Sequence, residues 1–170
     1  MRKITLTKLI LFFYLFFNLL FAEEFYGKAK IIDGDTIHIG KQKIRLFGID
    51  APEKKQKCKK PYLNLYIFAV LNFQNNYNCG NVSTKALIKK INGKSIKCIS
   101  STKDRYKRYI AICYLEELDL NKWMVKNGYA IAYKKYSKKY VTNEEYAKEN
   151  KLGLWRGTFV RPEEWRRISN

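Results

Sequence analysis

Ile31-Ile-Asp-Gly-Asp-Thr-Ile-His-Ile-Gly40, a Lys41-Gln-Lys43 spacer, and then Ile44-Arg-Leu-Phe-Gly-Ile-Asp-Ala-Pro-Glu53 decide how this chain is read. Apolar and polar residues alternate through Ile37, His38 and Ile39, and again through Ile44, Arg45 and Leu46. That is the period of half-buried strands. Gly34 and Gly40 mark bends. Pro52 has no N–H to give to a ladder, so the last strand should stop near Asp50. Asp33, Asp35, Asp50 and Glu53 therefore stand where strands end, with Arg45 among them. Carboxylates this crowded repel one another unless a cation or a basic group compensates. Arg45 supplies part of that compensation, and a hard divalent metal would supply the rest.

The chain has 170 residues, enough for one domain with a proper core. Its 34 Lys and Arg against 15 Asp and Glu give a net charge of +19. A field of that sign favours polyanions, either nucleic acid or an anionic membrane surface. The 13 tyrosines suit base stacking, though most should be core or half-buried strand residues. Arg2, Lys3 and Lys8 precede an apolar run from Leu9 to Ala22 that only Asn18 interrupts. This reads as a signal peptide over residues 1–22, too short for a comfortable membrane span. An uncleaved anchor is the alternative. The expected destination is the periplasm or the medium, and the chain from Glu23 on would keep a charge of about +16 once Arg2, Lys3 and Lys8 are subtracted.

Export makes the cysteines readable. Cys58, Cys79, Cys98 and Cys113 allow three pairings in an oxidising compartment. Cys98 with Cys113 is favoured, because they fall on two segments that read as antiparallel strands. Cys58 with Cys79 would then close the intervening loop. The absence of Cys-x-x-Cys and the single His38 argue against structural zinc.

Residues 23–170 read as a single domain. Lys54 to Lys60 is a basic loop that leads into a disulfide-closed insertion at about 58–79. The aromatic, Asn-rich stretch 61–80 does not fix its own secondary structure; a short helix inside the insertion is one reading. A helix is expected from Val82 to Ile91 with Ser83 as its N-cap. Strands are expected at Ser95–Ile99 and Tyr109–Leu115, joined by a polar, basic connection. Asp119 should cap a helix that stops at Asn127-Gly128. Tyr129–Tyr133 reads as a short strand. Thr142 and Glu145 have capping-box spacing and should open a helix to about Lys151. Residues 156–170 form a tail. Five short strands with about three packed helices make an α+β domain, compatible with a five-stranded oligonucleotide/oligosaccharide-binding (OB-fold-like) barrel.

Asp33-Gly-Asp-Thr36 followed by Arg45-Leu-Phe-Gly-Ile-Asp-Ala-Pro-Glu53 resembles the first signature of the staphylococcal (micrococcal) nuclease, or thermonuclease, family. Asp104-Arg-Tyr-Lys-Arg108 resembles the second, and Asp119 to Ala130 the segment that follows it. Leu152-Gly-Leu-Trp155 resembles the end of the family's last helix. The resemblance implies a five-stranded barrel with three helices and calcium-dependent hydrolysis of DNA and RNA to 3′-phosphate products. It implies that Asp35 and Asp50 hold Ca2+ through carboxylates and Ala51 through its carbonyl, with Glu53 as base. Arg45 and Arg108 would grip the phosphate. Tyr106 and Tyr133 resemble the tyrosines of the nucleotide pocket, and Lys107 would join them in binding substrate. Lys107 also stands where a glycine is common, which puts the aim of Arg108 in question. No stable protein partner is implied, and a monomer is expected.

The chemistry needs such residues. A phosphodiester is anionic, so a hard cation on oxygen ligands is suited to neutralise charge gained in the transition state. A guanidinium donates two parallel hydrogen bonds and stays charged. Singly, each residue has a blander role: Asp33 or Asp35 as a turn acid, Asp104 as the cap of its own turn, His38 as a strand surface residue. Two rival readings remain. Asp35 with Glu53-Lys54-Lys55 has the order of a magnesium-dependent restriction-type nuclease, against which Pro52 speaks. A non-catalytic nucleic-acid-binding barrel is the other. On the sequence, replacing Arg45, Arg108 or Glu53 by Ala should lower turnover about 100-fold or more and spare the fold.

Overall fold

The computed structural model describes residues 22–67 and 69–169, with the backbone alone over 62–74. The leader assigned to residues 1–22 lies outside the described residues except for Ala22. Strand β1 (Glu23–Ile31) runs antiparallel to β2 (Thr36–Ile39), which turns at Gly40 into β3 (Gln42–Leu46). On its other edge β1 pairs with β7 (Ser95–Lys103), and β7 with β8 (Tyr109–Leu115). Parallel pairing of β3 with β8 closes the ring. The result is a five-stranded barrel within an α+β domain, as the alternation predicts. The short β9 (Leu118–Asp119) extends the sheet at β8.

The inward half of the alternation fills the barrel. Ile37, Ile44, Leu46, Ile96, Ala111 and the Cys98 and Cys113 sulfurs are buried together. Cys98 and Cys113 are direct partners across β7 and β8 and are disulfide-bonded. Helix α1 (Cys79–Ile91) lays Leu87 and Ile91 on this core. It ends at Asn92 in the left-handed region, whose N–H bonds Ile88 O. Helix α2 (Leu120–Lys126) is capped by the Asp119 carboxylate, which accepts from Lys122 N–H. Its buried Asn121 accepts from Cys113 N–H and donates to the carbonyls of Phe47 and Ala111, clamping the helix over the barrel seam.

Several local readings are corrected. The stretch 61–80 is no helix before Cys79, where α1 begins: β5 (Lys57–Ile67) and β6 (Ala69–Asn78) form a long antiparallel hairpin that includes most of the expected basic loop. The Cys58–Cys79 disulfide closes its base. Backbone pairing with a directly adjacent segment outweighs the weak helical spacing of its apolar residues. The cap of α1 is Asn78, accepting from Asn81 N–H, and Ser83 lies buried one turn inside. The late helix α3 (Val141–Glu149) begins after Tyr140 without a side-chain cap, so Thr142 and Glu145 form no capping box. Glu144 instead turns inward and accepts from Ala132 N–H in β10 (Ile131–Ala132). The 156–170 tail contains a fourth helix, α4 (Pro162–Ile168), after a 3-10 turn at Gly153–Arg156.

Candidate functional site

The turn from Asp33 to Thr36 is tight because Ile32 and Asp33 N–H both donate to Thr36 O. Asp33 accepts from Asp35 N–H, and burial, with the Asp35 charge beside it, pushes the Asp33 carboxyl up to about 6. Gly34 is needed here: a Cβ would collide with Ser83 Oγ and Ala51 Cβ. Asp35 and the buried Asp50 are joined by Arg45, whose Nη1 reaches Asp35 Oδ1 at 2.7 Å and Nη2 reaches Asp50 Oδ1 at 3.0 Å. Asp35 Oδ2 also accepts from Ala51 N–H at 2.8 Å. Thus the first three expected residues meet, and Ala51 lies against them.

Asp50 is positioned by β4 (Ile49–Asp50), which pairs with β10 through Asp50 opposite Ile131. That pairing brings Tyr133 in, its N–H bonded to Gly48 O. Burial first, and then the Asp50 charge, raise the Tyr133 phenol. Glu53 lies in the loop after Pro52, its N–H bonded to the buried Gln56 Oε1. Lys54 and Lys55 form a turn, so Glu53-Lys54-Lys55 lies on no strand, unlike a restriction-type Glu-x-Lys.

Arg108 is not among the acids. Its Nε and Nη2 hold Asp104 Oδ2 at 2.8 and 2.7 Å. Asp104 also accepts from the N–H groups of Tyr106 and Arg108, the turn-capping role that its residue type suggests. Lys107 takes φ 61°, where glycine would sit without strain. Arg108 nevertheless leads directly into β8, where Ile110, two residues on, pairs with Arg45. Tyr106 is exposed at 62%, with the Arg105 and Arg108 guanidinium carbons 4.9 and 5.4 Å from its ring centre.

Sequence reasoning missed Arg166. From α4 its Nη1 donates to Asp50 Oδ1 at 3.0 Å and Glu53 Oε1 at 2.8 Å, and its Nη2 to Asp50 Oδ2 at 3.1 Å. Pro162 at the helix start, acids in its first turn and arginines in its last were a readable helix signal. Nothing local pointed to Asp50. Burial nonetheless raises the Asp50 carboxyl, against the pull of both arginines.

The profile described as "Staphylococcal nuclease homologue" matches residues 43–157. The chain belongs to the staphylococcal nuclease family. That places it among the nucleases, whose substrate is nucleic acid. Among its relatives, an "Uncharacterized endonuclease" of Haemophilus influenzae is 33% identical over 98% of this chain and 86% of its own length. A "Probable staphylococcal-like nuclease CAN3" of Oryza sativa is 35% identical over 78% of this chain but only 30% of its own length. "Succinoglycan biosynthesis protein ExoI" of Rhizobium meliloti is 32% identical over 79% of this chain and 66% of its own length.

The donor types at this site suit a hard cation, although among the described residues no three His, Cys, Asp or Glu side chains are gathered closely enough to form a metal site. Asp35, Asp50 and Glu53 offer only hard oxygens, the ligands Ca2+ takes. A carboxylate oxygen has two lone pairs. Asp35 Oδ1 spends both, on Thr36 Oγ and Arg45, whereas Oδ2 keeps one. Asp50 Oδ1 spends both on arginines, and Oδ2 keeps one. One free position therefore remains on each aspartate.

Proposed function

We propose that the protein is an exported, calcium-dependent endonuclease, acting as a monomer on DNA and RNA and leaving 3′-phosphate ends. The observation that carries the reading is the joining of Asp35 and Asp50 by the Arg45 fork, with Glu53 on the adjoining loop. Asp35 and Asp50 would hold calcium through the oxygens that keep a free lone pair, and the Ala51 carbonyl would add a third ligand. Bound calcium would offset the charge that the phosphate gains during attack.

The chain's own groups do the rest. Glu53, 34% exposed at its side chain, is open enough to meet water. It takes the proton of the attacking water, whose oxygen bonds to phosphorus as the bond to the 5′ oxygen breaks. Arg45 is held at the Asp35–Asp50 side of the phosphate. Arg108 reaches the other side on leaving Asp104, and Tyr106, Lys107 and Tyr133 border the nucleotide. The leader composition supports export, and the oxidised cysteine pairs fit an oxidising compartment.

Hydrolysis of DNA and RNA by the purified protein tests this. Calcium should support cleavage, magnesium should not, and a chelator should abolish it. Glu53→Gln should lower turnover at least ~100-fold at unchanged thermal stability. Full cleavage in chelator, or wild-type turnover in Glu53→Gln, would refute the mechanism.

A further inference from the structure

We propose that Arg166 is a residue of the cation site itself: a cation built into the chain, carried on α4, that a divalent metal must displace. The inference rests on the calcium reading above and adds a competitor to it. The Arg166 guanidinium spans two of the three carboxylates on which that reading depends, Asp50 and Glu53. It takes a lone pair from each Asp50 oxygen and so stands beside the one position that Oδ2 keeps free. A divalent ion there would share that oxygen with a guanidinium, and like charges at such range repel. Glu53, the base, is tied up by the same nitrogen.

The site has a reason to hold such a group. Asp33, Asp35, Asp50 and Glu53 are four carboxyl groups, and Arg45 brings one positive charge. Asp50 has no exposed side-chain surface, and a buried carboxylate without sufficient compensation is costly. Arg166 supplies the missing charge when no metal does.

The helix that carries it is made to let go. Helix α4 has seven residues, too few to be stable alone, and of these only Pro162 is buried. Its start has no side-chain cap, and the Arg166 side chain is 31% exposed. The chain ahead of it is fastened independently. Thr158 pairs with Lys59, Gln56 Nε2 donates to Val160 O at 2.7 Å, and Trp155 packs edge-on to Phe159. Residues after Val160 can swing away without disturbing the barrel. The apparent calcium dissociation constant is then the intrinsic one divided by the fraction of molecules with Arg166 withdrawn, so the tail sets the concentration at which the site opens.

Calorimetric calcium binding to the wild type, Arg166→Ala and Arg166→Lys tests this without substrate. Arg166→Ala should bind calcium at least ~10-fold more tightly than wild type. Arg166→Lys, which keeps a charge but loses the fork, should fall between. In the wild type, saturating calcium should speed amide exchange across 163–168, and Asp50→Asn should lose that response. Equal or weaker binding by Arg166→Ala, or exchange across α4 that calcium leaves unchanged or slows, overturns the inference alone. Absence of calcium binding in wild type and variants overturns both it and the calcium reading.

Discussion

Arg45 shows how a residue named for one task is held by another. Its side chain, 17% exposed, ties two nearly inaccessible carboxylates together. These ion pairs argue against the expectation that Arg45→Ala spares the fold. Removing one partner of a buried ion pair leaves charge uncompensated, which costs about 3 kcal/mol or more. Urea unfolding of Arg45→Ala should show that loss, beyond the loss of turnover. Glu53→Gln should show almost none, because Glu53 is one-third exposed and bonded at its side chain only to Arg166 among the described residues. A shift of the Arg45→Ala midpoint no larger than that of Glu53→Gln would mean the pair is dispensable to folding.

Elements meet at polar joints as much as at apolar ones. Glu144 of α3 is buried, accepts from Ala132 N–H of β10 and is paired with Lys134 and Lys148 at 3.1 and 2.8 Å. Burial alone would raise its pKa, but the two lysines and the N–H outweigh it and hold the carboxyl below its ordinary value. A depressed folded pKa means that the unfolded chain binds more protons as pH falls. The stabilisation is then complete above the unfolded value near 4.3 and is lost as pH drops through the folded one. Denaturant midpoints from pH 6 to pH 3 should fall less steeply for Glu144→Gln than for wild type. Parallel slopes would deny the joint its part in acid unfolding. Since β10 also pairs with Asp50, this joint stands directly behind the site.

At the scale of the molecule, charge dominates. A surplus of +19 over 170 residues, with lysines on the exposed hairpin base at Lys57, Lys59 and Lys60 and again at Lys134 and Lys135, makes a field that draws polyanions. Each phosphate neutralised releases counterions. The logarithm of substrate affinity should therefore fall against the logarithm of salt with a slope of about −3 or steeper. Fluorescence anisotropy with a labelled oligonucleotide and the inactive Glu53→Gln variant would measure it, and a slope near zero would reduce the lysines to a solvated surface. Among the described residues no helix is long and apolar enough to cross a membrane.

The sequence alone determined the acids, Arg45 and their spacing, because Asp33 to Glu53 is one short run whose alternation dictates which side chains share a face. It determined the barrel strands and the Asp119 cap for the same reason: these depend on neighbours a few residues away. Even the disulfide partners were legible once two antiparallel strands were assumed. It did not determine the hairpin in place of a helix, because that choice lies in backbone pairing rather than apolar spacing. Nor did it show that Arg108 rests on Asp104, or that Tyr133 reaches the acids through the β4–β10 pairing. Least of all could it show Arg166, 116 residues from Asp50, whose place is set only when the tail folds back over the closed barrel and finds buried negative charge.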